Sequence, residues 1–273
     1  AIGTPPRLQL IREDILKSGK MNSWEADDYL QWYDAYDRFL KEKGFDKAFP
    51  TVDDLTRSMG NVSFYYQGRI IENIRISNTV DAYAVNGWES MKLENHSGIV
   101  DNYRFPKGDP EVMARYNAPL YLAVKMNRKV VSTGDTTLVD TYIVNEKNLK
   151  GSYILNLVAK DESGNVVASH KERVTVKGGN DYGQCLQSGW AFIPKSKGYT
   201  RIEASLLKGK TELVKGDDLL FAVELNTKGI TTRGSVADTT GALVNFLRGV
   251  GMEVPVYKGG TPEGDYLLVG AYE

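Results

Sequence analysis

Residues Thr136–Val144 read TTLVDTYIV, Tyr153–Ala159 read YILNLVA and Val166–Val176 read VVASHKERVTV. The first of these runs alternates apolar and polar residues with a period of two, the signature of a strand with one buried face. The second and third are separated by Asp161-Glu162-Ser163-Gly164-Asn165, a turn-forming sequence that predicts a hairpin. Working outward, further β runs are expected at Leu120–Met126, Gly189–Ile193, Arg201–Leu207 and Leu219–Glu224. Roughly seven short strands in about 110 residues, separated by turn signals, is the arithmetic of a two-layer β-sandwich.

Upstream the periodicity changes. Ser23 is a candidate N-cap followed by Glu25, Asp27 and Asp28, acids suited to the positive end of a helix. Tyr29, Trp32, Tyr33, Tyr36, Phe39 and Leu40 recur at helical spacing, and Lys41, Lys43 and Gly44 mark the end. Thr51 with Asp54 has the pattern of a capping box that opens a second helical region through Leu55 and Met59. Another helical stretch is expected over Tyr65–Arg75, with Tyr66, Ile70 and Ile74 in line. Val80–Val85 reads as a buried strand that ends at Asn86-Gly87-Trp88-Glu89-Ser90. Helix, strand and polar-aromatic loop in that order is a barrel unit, and barrels place their chemistry at the C-terminal ends of strands.

Downstream, Ser235–Ala237 is a candidate strand, and Asp238 or Thr239 is a candidate cap for a helix carrying Leu243, Phe246, Leu247 and Val250. Val254–Tyr257 and Tyr266–Val269 are two more apolar runs. These roughly 45 residues are too few to close a core alone, so they are expected to dock elsewhere or to open a longer module. The start, Ala1-Ile2-Gly3-Thr4-Pro5-Pro6, has no basic and apolar leader and reads as a chain cut within a domain.

Composition narrows the functional classes. The 273 residues carry a net charge of −1 with 25% charged side chains, which gives no support to a nucleic-acid or anionic-membrane partner. No apolar run reaches the length of a membrane span. A single cysteine, Cys185, excludes an intrachain disulfide, and two histidines make a clustered metal site unexpected. No cofactor is expected: neither a GxGxxG nor a Walker-type loop occurs, and Asp238-Thr239-Thr240-Gly241 is a poor phosphate cradle, better read as an N-cap. Asn61-Val62-Ser63 and Asn95-His96-Ser97 match the glycosylation triplet, a pattern common by chance.

Three phrases carry a resemblance. They are Asn86–Ser90 continuing through Leu93-Glu94-Asn95-His96-Ser97-Gly98-Ile99-Val100-Asp101-Asn102; Lys107-Gly108-Asp109-Pro110 leading to Tyr116–Val124; and Gly134-Asp135 with Val144–Gly151. In this order, across a helical-to-β transition, the chain resembles the C-terminal portion of β-galactosidase-like family 2 glycoside hydrolases over roughly residues 1 to 225. The resemblance implies a multidomain α+β chain. Residues 1–118 would be the C-terminal part of a (β/α)8 barrel, 119–226 an immunoglobulin-like β-sandwich, and 227–273 the start of a short, truncated α/β segment.

It further implies a bacterial, periplasmic or secreted enzyme that hydrolyses β-galactosides or related β-linked sugars with retention, using two carboxylates about 5 Å apart. Both would lie upstream of Ala1, so that the fragment itself is expected to be inactive. Its partners would be the carbohydrate substrate and the upstream barrel and sugar-binding domains of the same chain. Trp88 is the foremost candidate to face the sugar, with Glu89, Asn86, Asn95 and His96 as further substrate-binding candidates. Against these stand plainer readings: Trp88 packing a rim, Glu89 in an ion pair, His96 structural. Glu89 with Glu94, or Asp81 with Asp101, is an alternative carboxylate pair. A rival function is a non-catalytic sandwich that binds carbohydrate or joins domains, favoured if Tyr142, Tyr153, Tyr182 and Trp190 form one exposed face. An incomplete barrel leaves apolar helix faces uncovered, so residues 1–118 are expected to be either mobile or covered by a second copy or further chain.

Overall fold

A computed structural model describes residues 4–19, 23–85, 87–91, 98–225, 227–230, 232–262 and 264–271. The chain is mixed α/β, with sheet dominating. Its helices α1 (Leu8–Ser18), α2 (Trp24–Glu42), α3 (Val52–Ser77) and α4 (Pro110–Tyr116) precede strands β1 (Leu120–Met126) to β8 (Thr211–Val223). Between these strands lie β2 (Val130–Ser132), β3 (Thr137–Asn145), β4 (Gly151–Lys160), β5 (Val166–Val176), β6 (Gly183–Phe192) and β7 (Gly198–Lys208).

The strands form a three-stranded sheet in the order β1-β3-β6 and a five-stranded sheet in the order β2-β8-β7-β4-β5. Period-two burial along β3 places Thr137, Val139, Thr141 and Ile143 inside. Leu122, Val139 and Ile143 from one sheet share a core with Leu155, Leu157, Ile202 and Leu220 from the other. The expected hairpin forms: β4 and β5 pair antiparallel, and the turn closes with Gly164 donating to the Asp161 carbonyl and the Asp161 carboxylate accepting from the Asn165 amide.

The helices begin where their caps predict. The Ser23 side chain accepts from the Ala26 amide, and Thr51 and Asp54 exchange both bonds of a capping box. Leu8, Ile11 and Ile15 of α1, an element the pattern reading left out, bury against Tyr29 and Leu40 of α2. The two helical stretches expected after Thr51 are one continuous helix. Gly60 lies in its middle because the backbone of Lys107 and Gly108 passes so close that a Cβ would collide with the Lys107 carbonyl.

The buried face of α3 differs from the expected one. Tyr66 and Ile70 point to solvent, the latter 61% exposed, while Phe64, Gly68, Arg69, Ile71, Glu72 and Arg75 turn inward. Gly68 lets the Tyr116 ring approach the helix backbone; Arg69 and Glu72 find partners on the sheets, and Arg75 pairs with Glu146 just past β3.

Val80–Val85 is a second correction. It is not a strand and not buried: Val80, Tyr83 and Val85 are all exposed. A strand needs a neighbour to satisfy its backbone, and among the described residues 4–118 the only β pairings are the isolated bridges Glu89–Val100 and Val100–Pro106. The barrel strand expected here therefore does not form within these residues.

At the C-terminal end β9 (Gly234–Ala237), α5 (Ala242–Gly249) and β10 (Tyr266–Val269) make a parallel βαβ unit, with Val256 bridging to Val236 in place of a longer run. Val236 and Leu247 are its buried hydrophobic residues among those described. The Asp238 carboxylate accepts from the Val244 amide and the Thr240 hydroxyl, occupying the start of α5 with an acid. Among the described residues no helix is long and apolar enough to cross a membrane, and no cluster of His, Cys, Asp and Glu could hold a metal.

Candidate functional site

Trp88 lies on a strip of chain that leaves the end of α3. Asn78, in the left-handed region at φ 55°, ends that helix and exchanges two hydrogen bonds with the Gly183 backbone at 2.6 and 2.7 Å. The chain then crosses the surface, where the Tyr83 hydroxyl donates to Asn117 Oδ1 at 2.6 Å.

The Trp88 carbonyl accepts from the amides of Ile99 and Val100 at 2.9 and 3.0 Å, and the Ser90 amide donates to the Val100 carbonyl at 3.0 Å. Gly98, at φ 84°, lies so close to the Ser90 amide that only glycine fits. The indole it presents is 62% exposed.

Below this rung Asp101 is fully buried and accepts from the amides of Arg7, Tyr103 and Phe105, each at 3.0 Å. Burial outweighs these three donors and the nearby Lys107 charge, and pushes the carboxyl above the usual carboxylate range. Asp101 thereby ties the start of α1 to the strip that carries Trp88. The Glu89 carboxylate is held by Arg104 at 2.9 Å. Asn86, Asn95, His96 and Glu94 lie outside the described residues. Asp81 is exposed whereas Asp101 is buried and saturated with backbone donors, so the two do not share one open site.

The strongest concentration of charge lies elsewhere, in the seam where α3 meets the sheets. Arg69 reaches Glu72 at 3.0 Å and Asp218 of β8 at 2.9 Å. Tyr121 of β1 donates to Glu72 and Tyr65 donates to Asp218, each at 2.7 Å. Lys125 and Lys129 complete the ring at 3.2 Å from Glu72 and 2.5 Å from Asp218.

Desolvation lowers both lysines from their ordinary value, although the carboxylates pull the other way. Arg69 is raised: burial works against its charge, but Glu72 and Asp218 prevail. Burial raises the Tyr65 and Tyr121 phenols, with the same two carboxylates adding to it. Glu72 and Asp218 are buried carboxylates bound to a common cation, which makes them a structural lock rather than an acid/base pair. Pattern reading missed this seam; Arg69, Glu72 and Arg75 at three-residue spacing inside an otherwise amphipathic helix were the available signal.

The aromatics that would favour a sugar-binding sandwich face are dispersed. Tyr153 is buried with its hydroxyl on the Lys150 carbonyl, and Tyr142 packs beside the α3 cluster. Trp190 stacks on His170 and leans on the sandwich core, while Tyr182 is exposed. The Asn61 amide is committed to Asp109, donating at 2.8 Å, while its carbonyl oxygen accepts from the Asp109 amide at 2.6 Å.

Comparison with known proteins finds no matching family model and no matching curated protein. Among solved structures, the chain is similar to a glycosyl hydrolase family 2 member from Bacteroides cellulosilyticus, at 16% identity and a TM-score of 0.31 over 38% of this chain and 15% of that one. It is similar to a β-D-mannosidase from Dictyoglomus thermophilum at 14% identity and a TM-score of 0.45, over 61% of this chain and 19% of that one. It is also similar to a CARDB domain from Pyrococcus furiosus, at 15% identity and a TM-score of 0.27, over 39% of this chain and 94% of that one. The matches thus span less than a fifth of either glycosidase. Likenesses this small, shared with a domain that is not described as a glycosidase, carry no argument about activity.

Proposed function

We propose that the chain is part of a retaining glycoside hydrolase of the family 2 type, acting on β-galactosides or related β-linked sugars. Residues 1–118 are the end of its catalytic domain, 119–226 an immunoglobulin-like sandwich that supports it, and 227–273 the start of a further module. The carboxylate pair lies outside these residues. Trp88 faces the sugar, with Glu89, Asn86, Asn95 and His96 around it.

One observation carries the reading: an indole left in water on a backbone whose Trp88 carbonyl and Ser90 amide are pinned to Ile99 and Val100. Exposing so much apolar surface costs free energy that packing would recover, and pinning the backbone removes the entropy that a binding loop would otherwise lose on contact. A flat ring held this way suits the C–H face of a pyranose. The Arg104–Glu89 pair beside it supplies a donor and an acceptor for hydroxyls.

The test combines turnover of nitrophenyl β-galactoside, β-glucoside and β-mannoside with tryptophan fluorescence during titration with isopropyl β-thiogalactoside. The expected result is no turnover, and a fluorescence change that Trp88→Ala removes. Turnover lost in Glu89→Gln would place the chemistry inside these residues, against the proposal. A fluorescence change unaltered by Trp88→Ala would remove Trp88 from the site.

A further inference from the structure

A cleft of about 760 Å³ runs between the outer face of α3 and the β2/β8/β7 edge of the larger sheet. It is separate from the Trp88 strip and shares no residue with it. Its walls carry Tyr66 from the helix and Tyr199 from β7, each 53% exposed, and the Tyr199 ring rests on Phe221 with centroids 4.7 Å apart. Tyr66 is braced edge-on by Tyr65 at 5.3 Å. Exposed tyrosines thus line both sides of one cavity, each held by a second aromatic ring.

The polar rim is already organised. Arg57 Nε and Asn61 Nδ2 both donate to the Asp109 carboxylate at 2.8 Å, and this contact pulls Asp109 below its ordinary value. Lys129 sits at the base with its ammonium on Asp218 and the Tyr65 hydroxyl, over the Tyr65 ring. Each of these cations is therefore matched by a carboxylate, and the cleft offers no net charge to attract an anion or a phosphate. Aromatic walls, a neutral rim of mixed donors and acceptors, and room for two rings select one class of ligand.

We propose that this cleft is a second, non-catalytic binding site for a neutral carbohydrate, a disaccharide-sized segment held between Tyr66 and Tyr199 with its hydroxyls on the Arg57–Asn61–Asp109 rim. The site does not depend on the reading of Trp88. In a glycosidase it would hold a length of glycan away from the bond being cleaved; in a non-enzyme it would be a sugar-binding site in its own right.

Calorimetric titration of the 273-residue chain with lactose, cellobiose and β-1,4-mannobiose tests this, run on the parent and on Trp88→Ala so that the strip is silenced. The expected result is saturable binding in roughly the millimolar range that persists in Trp88→Ala. Adding Tyr199→Ala or Tyr66→Ala should weaken it about tenfold, with both together removing it; both side chains are half-exposed, and unchanged circular dichroism checks that the variants fold.

Three results would overturn the proposal. The first is no saturable binding of any of the disaccharides. The second is binding by the parent that vanishes in Trp88→Ala, which would leave the strip as the sugar site and the cleft empty. The third is sedimentation showing a dimer that Tyr66→Ala dissociates, which would make the cleft a face for a second copy. Loss of the Trp88 fluorescence response with cleft binding intact would instead count against the function proposed for the strip alone.

Discussion

Helix α3 is held along its C-terminal half by buried charges, whereas the described strip segments 87–91 and 98–106 are held together by backbone hydrogen bonds. In the seam, Arg69, Glu72 and Asp218 have lost their water and recover its free energy only through one another. On the strip the pinned groups are peptide amides and carbonyls around Trp88, Ser90 and Val100; Ser90 and Val100 turn inward while the Trp88 indole faces outward. The first arrangement sets how α3 sits on the sheets and tolerates almost no truncation. The second holds a side chain in place without using it for packing, so a change there should alter recognition and leave the fold intact.

The largest expected effect comes from breaking the seam. Arg69→Ala leaves two buried carboxylates without their common cation, at an expected cost of about 3–5 kcal/mol in urea unfolding. Lys125 and Lys129 remain beside the two acids, but their side chains are 25% and 36% exposed and leave the buried space of the guanidinium empty. A loss under about 1 kcal/mol would mean that water reaches the pair and that the seam is not sealed.

Next comes a close backbone approach between α3 and the chain just past the strip, at Lys107 and Gly108. Gly60→Ala pushes a methyl into the Lys107 carbonyl, and helix and strip must separate. The expected loss is about 2 kcal/mol, despite the better helix propensity of alanine. A stabilised variant would show that the contact is loose and that strip and helix move independently.

These two positions also show what a sequence reveals. The strands were legible because burial on one face imposes period two locally, as in Thr137, Val139, Thr141 and Ile143. The caps at Ser23 and Thr51 were legible because donor and acceptor lie three residues apart. The orientation of α3 was not. Its apolar line, Tyr66, Ile70 and Ile74, suggested a core face, while the true partner of Arg69 lies at Asp218, far along the chain. Val80–Val85 failed for a related reason: an apolar run becomes a strand only when a neighbour exists to pair with it. At the candidate site Trp88 and Glu89 could be named from their phrase. The buried Asp101 that anchors them, and the cleft beside α3, depend on tertiary contacts no local pattern carries.

Alkaline titration sharpens the contrast without mutation. Burial raises Tyr116 to about 12 and places Tyr29, Tyr65 and Tyr121 higher still. The native state keeps these protons where the unfolded chain has lost them. Their contribution is therefore complete below pH 10 and falls away as pH rises toward the folded values, by about 1.4 kcal/mol for each raised tyrosine per pH unit. Phenolate absorbance should show a cooperative step in which Tyr29, Tyr65, Tyr116 and Tyr121 ionise as the chain unfolds. A single smooth titration of all 16 tyrosines in a folded chain would contradict the burial of the seam.

The smallest effect should come from the strip itself. Trp88→Ala removes the largest side chain in the vicinity, and for a packed tryptophan that would cost about 3–5 kcal/mol. Here the indole lies mostly in water, and the bonds that hold the rung come from its carbonyl, which alanine keeps. The urea midpoint should therefore shift by no more than about 0.5 kcal/mol equivalent, with the far-ultraviolet spectrum unchanged. Sugar-dependent fluorescence should be lost in the same sample. If stability fell by several kcal/mol instead, Trp88 would be a packing residue, and the difference between seam and strip would disappear. A neutral effect on stability combined with lost recognition is the outcome that separates a side chain held for binding from one held for folding.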